Sequence, residues 1–237
     1  MSSNLSSSKN ANWAVVPAAG SGARMASDVP KQYLKILDKT ILEHTVERLV
    51  SHPEISGVVV AVAPDDKRWD ELKFDTKKPV IKTLGGAERC HSVKNALYEV
   101  ARHGDDQDWV LVHDAARPCL RHEDLDNLFS QLSQHMVGGL LAYPVKDTMK
   151  LADDKQRVVE TVDRSMLWHA LTPQMFRLHL IRKVLNDSIE KGIVVTDESS
   201  AMEQAGYQPK LVEGHADNIK ITTPGDLAVA EAILSCL

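Results

Sequence analysis

The sequence predicts an α/β domain with a mostly parallel sheet and helices on both of its faces. The first observation is a series of short, continuously apolar runs, at residues 13–18, 57–63, 79–85, 109–115 and 138–145. Such runs suit strands that are covered on both faces. The second observation is a series of helical patterns between these runs, at residues 40–52, 88–104 and 122–135. Repeated strand, helix and strand units form parallel sheets.

The individual elements follow from apolar spacing and capping signals. The first helical pattern places six residues on one stripe, namely Ile41, Leu42, Thr45, Val46, Leu49 and Val50. Towards the end of the chain, the patterns predict a strand at 209–214 and helices at 178–191, 198–205 and 224–234. Thr223 is a suitable N-cap for the last helix, and Pro224 suits its first position.

The strand and helix alternation breaks after residue 145. Two extended segments, at 148–151 and 157–162, flank a charged turn, which predicts a β-hairpin. We therefore expect one domain, residues 12–237, that carries a protruding β-arm at about residues 145–175. The polar, serine-rich residues 1–11 predict a disordered leader.

Composition limits the classes of function. The chain has 237 residues, of which 43% are hydrophobic, and its 28 Lys and Arg against 33 Asp and Glu give a net charge of −5. This balance argues against a nucleic-acid or membrane surface, so an anionic ligand requires a local cluster of cations. Cys90, Cys119 and Cys236 are too far apart for a zinc motif. Without a signal peptide or a long apolar run, we expect a soluble, cytoplasmic protein.

The stretch VVPAAGSGARMASDVPKQYL, residues 15–34, is the first candidate site. A strand that ends in a glycine-rich turn lets backbone N–H groups approach a phosphate. Met25 stands where the Walker and dinucleotide motifs require glycine, so neither motif is present. The loop instead carries Arg24 and, after a break, Lys31. Two cations suit an enzyme that breaks a phosphoanhydride, because charge accumulates there in the transition state. The alternative is that both are ordinary surface cations.

Seven segments together carry a family resemblance: PAAGSGARM with PKQYL, GGAERCHSV, VLVHDAARPC, PVKDTMK, TVDRSMLWHALTPQMF, TDESSA and DNIKIT. Their order and content resemble those of the 2-C-methyl-D-erythritol 4-phosphate cytidylyltransferases of the non-mevalonate route to isoprenoid precursors. The resemblance covers the chain from residue 13 to the last helix. It implies a single Rossmann-like nucleotidyltransferase domain whose β-arm takes part in dimerisation.

The resemblance also implies the reaction. The family transfers a cytidylyl group from CTP to 2-C-methyl-D-erythritol 4-phosphate, giving 4-diphosphocytidyl-2-C-methyl-D-erythritol and pyrophosphate. It uses Mg²⁺ bound mainly through the CTP phosphates, and Asp114 is the candidate for a direct metal ligand. A phosphate monoester has a second pKa of about 6 and is mostly a dianion at neutral pH. No general base is needed, so the 10 histidines receive no catalytic role.

By resemblance, Arg24, Lys31, Arg164 and Lys220 are the catalytic residues. The nucleotide-binding residues implied are Pro17, Ala18, Ala19, Gly20, Gly22, Gly86, Arg89, Ser92, Asp114 and Ala115. Those implied for the sugar phosphate are Asp114, Arg117, Thr148, Arg164, Thr172 and Lys220. The resemblance also implies a homodimer with shared active sites, in which Thr148 and Arg164 of the arm reach the site of the partner subunit. Ala87 departs from the family, whose members often carry aspartate there.

Simpler interpretations stand beside these roles. Asp114 could cap a helix and pair with Arg117, and Arg89 and Ser92 could belong to an ordinary strand-to-helix turn. Lys220 could be an edge-strand lysine. For the whole chain, the alternatives are a cytidylyltransferase for another polyol phosphate, such as ribitol 5-phosphate, and a non-catalytic nucleotide-binding module.

Overall fold

A seven-stranded sheet forms the centre of the computed structural model, which describes residues 10–20 and 29–237. Its strands are β1 (Asn12–Pro17), β4 (Gly57–Val62), β5 (Val80–Leu84), β6 (Trp109–Val112), β7 (Gly138–Pro144), β10 (Trp168–Arg177) and β11 (Lys210–Glu213). Two short strands, β2 (Lys35–Ile36) and β3 (Lys39–Thr40), form a separate hairpin. The strand order in the large sheet is β11-β7-β10-β6-β1-β4-β5.

The sheet is mostly parallel, which confirms the predicted fold class. Within the described part of the chain, four neighbouring pairs are parallel, whereas β10 is antiparallel to both β6 and β7. The helices are α1 (Ile41–Val50), α2 (Arg89–Val100), α3 (His122–Leu132), α4 (Leu178–Glu190), α5 (Glu198–Gln204) and α6 (Pro224–Leu234).

Two hydrophobic clusters, one on each face of the sheet, explain the continuous apolar runs. Ala14 and Val16 of β1 pack with apolar residues of α1 and α3, whereas Trp13 and Val15 pack with those of α2, α4 and α5. Successive side chains of a strand point to opposite faces. The positions of the central strands β4 and β6 are therefore buried and apolar, because helices cover both faces there.

The strand β10 corrects the predicted extent of the arm. The arm was expected at residues 145–175, but Trp168–Arg177 belongs to the main sheet, and Leu171, Met175 and Phe176 are buried in it. Between β7 and β10, residues 145–167 leave the sheet. This segment contains the predicted hairpin, β8 (Met149–Ala152) and β9 (Val158–Val162), whose strands pair in an antiparallel manner.

Two further predictions concern the ends of the chain and membranes. Residues 1–9 of the predicted leader lie outside the described residues, and β1 begins at Asn12. The last helix begins at Pro224 directly after Thr223, as expected. Among the described residues, none of the helices has the length and apolar character that crossing a membrane requires.

Candidate active site

A cleft of about 440 Å³ lies where the strands β1, β5 and β6 end. Open parallel sheets bind ligands at this edge, outside the carboxyl ends of the strands. The residues that line it come from five separate segments of the chain: Pro17, Ala18, Ala19, Gly20, Lys31, Gln32, Gly86, Ala87, Glu88, Arg89, Ser92, Asp114, Ala115, Ala116, Lys220 and Thr222.

Most of the predicted site residues meet in this cleft. Of the predicted nucleotide-binding set, all members that the structure describes line the cleft, together with Lys31 and Lys220. Gly22 and Arg24 lie outside the described residues. Among the described residues, Arg117 and Thr172 lie behind the cleft lining, and Thr148 and Arg164 lie on the arm.

The start of the glycine loop is fixed by a residue that the sequence analysis did not single out. Gln32 is only 4% exposed, and its side-chain NH₂ donates to the carbonyls of Ala18, at 2.7 Å, and Gly20, at 3.1 Å. The loop after β5 lies directly against Ala19: a Cβ atom on Gly85 would be 2.3 Å from the Cβ of Ala19, so this close approach requires glycine. The two loops at the cleft thus hold fixed backbone positions.

Lys31 connects the glycine loop to the last part of the chain. It stands in a 3₁₀ turn, Lys31–Tyr33, and its ammonium donates to the carbonyl of Ile221 at 3.0 Å. The amide of Ile221 in turn donates to the carbonyl of Ala116 at 2.9 Å. These contacts place the DNIKIT segment beside the loop that follows β6, and they bring Lys220 to the same cleft as Lys31.

Asp114 lies among three cations. Its carboxylate is 2.9 Å from the ammonium of Lys220, 3.3 Å from Nε of Arg89 and 3.4 Å from Nε of Arg117. Burial alone would raise the pKa of Asp114, but Arg89, Lys220 and Arg117 outweigh it and hold that pKa well below its ordinary value. Asp114 is therefore ionised throughout the neutral range. It does not cap α3, which begins at His122.

A second buried carboxylate orients Arg89. Glu198, at 1% exposure, accepts from both terminal nitrogens of the guanidinium, at 2.7 and 3.0 Å. Burial alone would lower the pKa of Arg89, but the charges of Glu198 and Asp114 outweigh it and raise that pKa. A bidentate pair fixes the plane of a guanidinium. The sequence gives no signal for Glu198, because its distance to Arg89 depends on how α5 packs.

The loop before α2 is held by Ser92. Its hydroxyl accepts from the amide of Gly86 at 3.0 Å and donates to the carbonyl of Glu88 at 3.2 Å. Ser92 thus has the role that a strand-to-helix turn requires, and it also lines the cleft. Ala87 also lines the cleft, and its methyl group offers no hydrogen bond to a ligand.

A chain of hydrogen bonds behind Asp114 fixes the loop that follows β6. The Asp114 amide donates to Oγ1 of Thr172 at 3.1 Å, this hydroxyl lies 3.0 Å from Nδ1 of His113, and Nε2 of His113 lies 2.9 Å from the carbonyl of Arg117. A carbonyl only accepts, so Nε2 carries the proton. Burial lowers the pKa of His113 to about 4, so the ring is neutral and Thr172 donates to Nδ1.

The two predicted arm residues are separate from this network. Thr148 is exposed, and Arg164 lies in a 3₁₀ turn, where its guanidinium donates to the carbonyl of Lys146. Their predicted contacts with a substrate stay predictions, as does that of Thr172, whose hydroxyl is engaged with His113 and Asp114.

Comparison with known proteins gives consistent matches over nearly the whole chain. The family model described as IspD: 2-C-methyl-D-erythritol 4-phosphate cytidylyltransferase matches residues 13–236. The protein of that name from Vibrio vulnificus strain YJ016 is 53% identical over 222 residues, which cover 94% of both chains. The protein of that name from Pseudomonas fluorescens strain Pf0-1 is 54% identical over 216 residues, which cover 91% of this chain and 92% of the relative. A crystal structure of 4-diphosphocytidyl-2C-methyl-D-erythritol synthase superimposes with a TM-score of 0.83 and 37% identity, covering 96% of this chain and all of the other.

Proposed function

The chain belongs to the 2-C-methyl-D-erythritol 4-phosphate cytidylyltransferase family, and we propose that its cleft transfers the cytidylyl group of CTP to 2-C-methyl-D-erythritol 4-phosphate. The products are 4-diphosphocytidyl-2-C-methyl-D-erythritol and pyrophosphate, in the biosynthesis of isoprenoid precursors. The cytoplasmic location stays a prediction.

The convergence of Lys31 and Lys220 on one cleft is the observation that carries this proposal. They approach from opposite ends of the chain, one from the glycine loop and the other from the DNIKIT segment. The reaction brings a phosphate dianion to a triphosphate, so cations must offset the repulsion between two polyanions. A protein that only bound a nucleotide would need cations on the triphosphate alone.

The chemistry follows from these positions. An oxygen of the acceptor phosphate forms a bond with the α-phosphorus of CTP, and the bond from that phosphorus to the oxygen that bridges to the β-phosphate breaks. Pyrophosphate leaves with that electron pair. Lys31, with Arg24 as its predicted partner, would stabilise the charge at the α-phosphorus, and Lys220 would hold the attacking phosphate. Since the acceptor is already a dianion, no side chain has to remove a proton.

The charges around Asp114 bear on how Mg²⁺ is held. Both carboxylate oxygens already face cationic side chains, of Arg89, Lys220 and Arg117. A divalent ion at this carboxylate would meet those positive charges, so the residues fit Mg²⁺ carried mainly by the CTP phosphates, with Asp114 as the neighbouring carboxylate. When bound, Mg²⁺ neutralises charge on the triphosphate and orients it.

The arm supports a shared site in a homodimer. An isolated two-stranded hairpin is marginally stable in water. In the single chain, Val158 and Val159 of β9 are 63% and 62% exposed, and Met166, in the 3₁₀ turn after the hairpin, is 83% exposed. Contiguous exposed apolar residues mark a surface that another chain covers. We propose that the arm docks on a partner subunit and that Thr148 and Arg164 reach the partner's sugar-phosphate site.

Release of pyrophosphate tests the proposed reaction. Purified protein is given CTP and Mg²⁺ with 2-C-methyl-D-erythritol 4-phosphate, with ribitol 5-phosphate, or with no acceptor. We expect turnover that depends on the methylerythritol phosphate. Faster release with ribitol 5-phosphate would identify a different polyol specificity, and CTP binding without release under all three conditions would identify a binding module.

A further inference from the structure

Three side chains of different chemistry meet at the beginning of α2. The ligand atoms of Glu88, Cys90 and His91 all lie within 4.8 Å of one another. Sγ of Cys90 is 3.7 Å from Oε2 of Glu88 and 4.0 Å from Nδ1 of His91. The three residues are neighbours at the start of this helix, and none of them has a role in the transfer reaction described above.

The distances between these atoms suit one small ion. Zinc binds thiolate at about 2.3 Å and imidazole at about 2.0 Å in tetrahedral sites, so sulfur and nitrogen ligands of one zinc ion lie about 3.5 Å apart. The observed distance from Sγ to Nδ1, 4.0 Å, is somewhat longer than this value, and the distance from Sγ to Oε2 of Glu88 is 3.7 Å. Closing the remaining difference requires rotation of the Cys90 and His91 side chains.

The surroundings of these three side chains leave them accessible to an ion and fix part of their geometry. Glu88 is exposed, and Cys90 and His91 are partly exposed, so an ion can reach them from solvent. His91 packs closely on the preceding loop, since a Cβ atom on Gly86 would lie 2.4 Å from the Cβ of His91. The Cβ atom of His91 is therefore held in place by this loop, and Nδ1 of its ring lies 4.0 Å from Sγ of Cys90.

We propose that Glu88, Cys90 and His91 form a binding site for a borderline-soft divalent metal ion, of which zinc is the representative. The thiol proton passes to solvent when the ion binds, and the thiolate, imidazole and carboxylate supply three ligands. A fourth position stays open for water, as in zinc sites with three protein ligands. Mg²⁺ does not compete for the site, because it prefers oxygen ligands.

The proposed metal site adjoins the cleft, so a bound ion would change the charge at the rim of the cleft. Glu88 also lines the cleft, beside Arg89. A zinc ion together with one thiolate and one carboxylate is neutral, whereas the empty site with a protonated thiol carries the charge of Glu88. Occupation therefore removes one negative charge from the rim of a cleft that binds anions.

Cobalt binding to the full, untagged chain tests the proposal in the absence of nucleotide. Co²⁺ reports the site directly, because a thiolate ligand produces a charge-transfer absorption band in the near ultraviolet. We expect one Co²⁺ per chain with that band, displaced by one equivalent of Zn²⁺. Cys90→Ser should abolish the band, while Cys236→Ser, which changes an exposed cysteine elsewhere, should leave it intact.

The other two ligands are tested by affinity. His91→Asn and Glu88→Gln should each weaken Zn²⁺ binding at least 10-fold, measured by competition with a chromophoric chelator. Circular dichroism establishes that each variant is folded, and Cys90→Ala replaces Cys90→Ser if the latter does not fold. A thiolate band that persists in Cys90→Ser, or equal Zn²⁺ affinity in the original chain and His91→Asn, would overturn the proposal. The result is independent of the transfer reaction, since no CTP is present.

Discussion

The ammonium of Lys31 donates a 3.0 Å hydrogen bond to the carbonyl of Ile221, the residue that directly follows Lys220. The two partners are 190 positions apart in the sequence. This bond attaches the glycine loop to the segment that supplies the second lysine of the cleft. The position of Lys31 beside the cleft is therefore a consequence of the whole fold.

Gln32 should control affinity for CTP. Gln32→Glu preserves the size of the side chain but places a carboxylate against the carbonyls of Ala18 and Gly20, where the amide now donates. Loss of two hydrogen bonds and the new repulsion should raise KM for CTP about 10-fold or more. Steady-state kinetics measure this, with Gln204→Glu on the exposed face of α5 as the control. An unchanged KM would show that the loop does not depend on Gln32.

The hydroxyl of Thr172, and not its methyl group, should stabilise the folded protein. Thr172→Val leaves the amide of Asp114 and Nδ1 of His113 without partners, whereas Thr172→Ser keeps the hydroxyl. Each unsatisfied buried group costs about 1–3 kcal/mol. Urea unfolding should therefore show a much larger loss of stability for the valine variant than for the serine variant. Equal losses would mean that the methyl group, and not the hydrogen-bond chain, is what matters.

His113 should make the protein less stable in mild acid. Its pKa is lowered by burial from 6.5 to about 4. Between these pKa values the imidazole takes up a proton in the unfolded chain but not in the folded chain. The contribution of neutral His113 to the free energy of unfolding is therefore fully present above pH 6.5. It falls by about 3 kcal/mol as the pH approaches 4.

The measurement is the free energy of unfolding in urea from about pH 7 to about pH 5. His113→Gln removes this titration, so its curve should be flatter than that of the original chain. The depressed pKa of Asp114 acts in a lower range, because its contribution is lost only below the ordinary pKa of an aspartate. Identical pH slopes for both proteins would exclude His113 as the cause.

Arg164 should complement a defect in another subunit. Arg164→Ala should raise KM for the sugar phosphate and leave CTP affinity unchanged, because the residue lies on the arm and apart from the cleft of its own chain. Mixing this variant with an Arg24→Ala variant should restore part of the activity, since hybrid dimers contain one intact site. If mixtures are no more active than either variant alone, each site is built from a single chain.

Much of the fold could be predicted because both faces of the sheet are covered. Continuous apolar runs such as Gly57–Val62 require that environment, and the structure shows strands in those places. The strand β10 could not be separated from the arm, because its apolar residues follow the hairpin without a turn signal and include Pro173. Pairing with β6 and β7 makes it a strand, and pairing is not a local property.

The candidate site, like the fold, could be predicted from the sequence only in part. The sequence motifs locate the cleft residues on loops at the ends of strands, and Asp114 lies where such a position was expected. Gln32 and Glu198 were missed because a single polar residue carries no sign that it will be buried. Their partners, the carbonyls of the glycine loop and the guanidinium of Arg89, become neighbours only when the chain is folded.

The turnover of Lys31→Ala with CTP and 2-C-methyl-D-erythritol 4-phosphate tests the central claim most directly. If Lys31 stabilises the charge that develops at the α-phosphorus, kcat should fall by about 10²-fold or more while the affinity for CTP changes much less. Lys183→Ala, which removes an exposed lysine of α4, is the matched control and should keep full activity. A kcat for Lys31→Ala within a few-fold of the original would contradict the account.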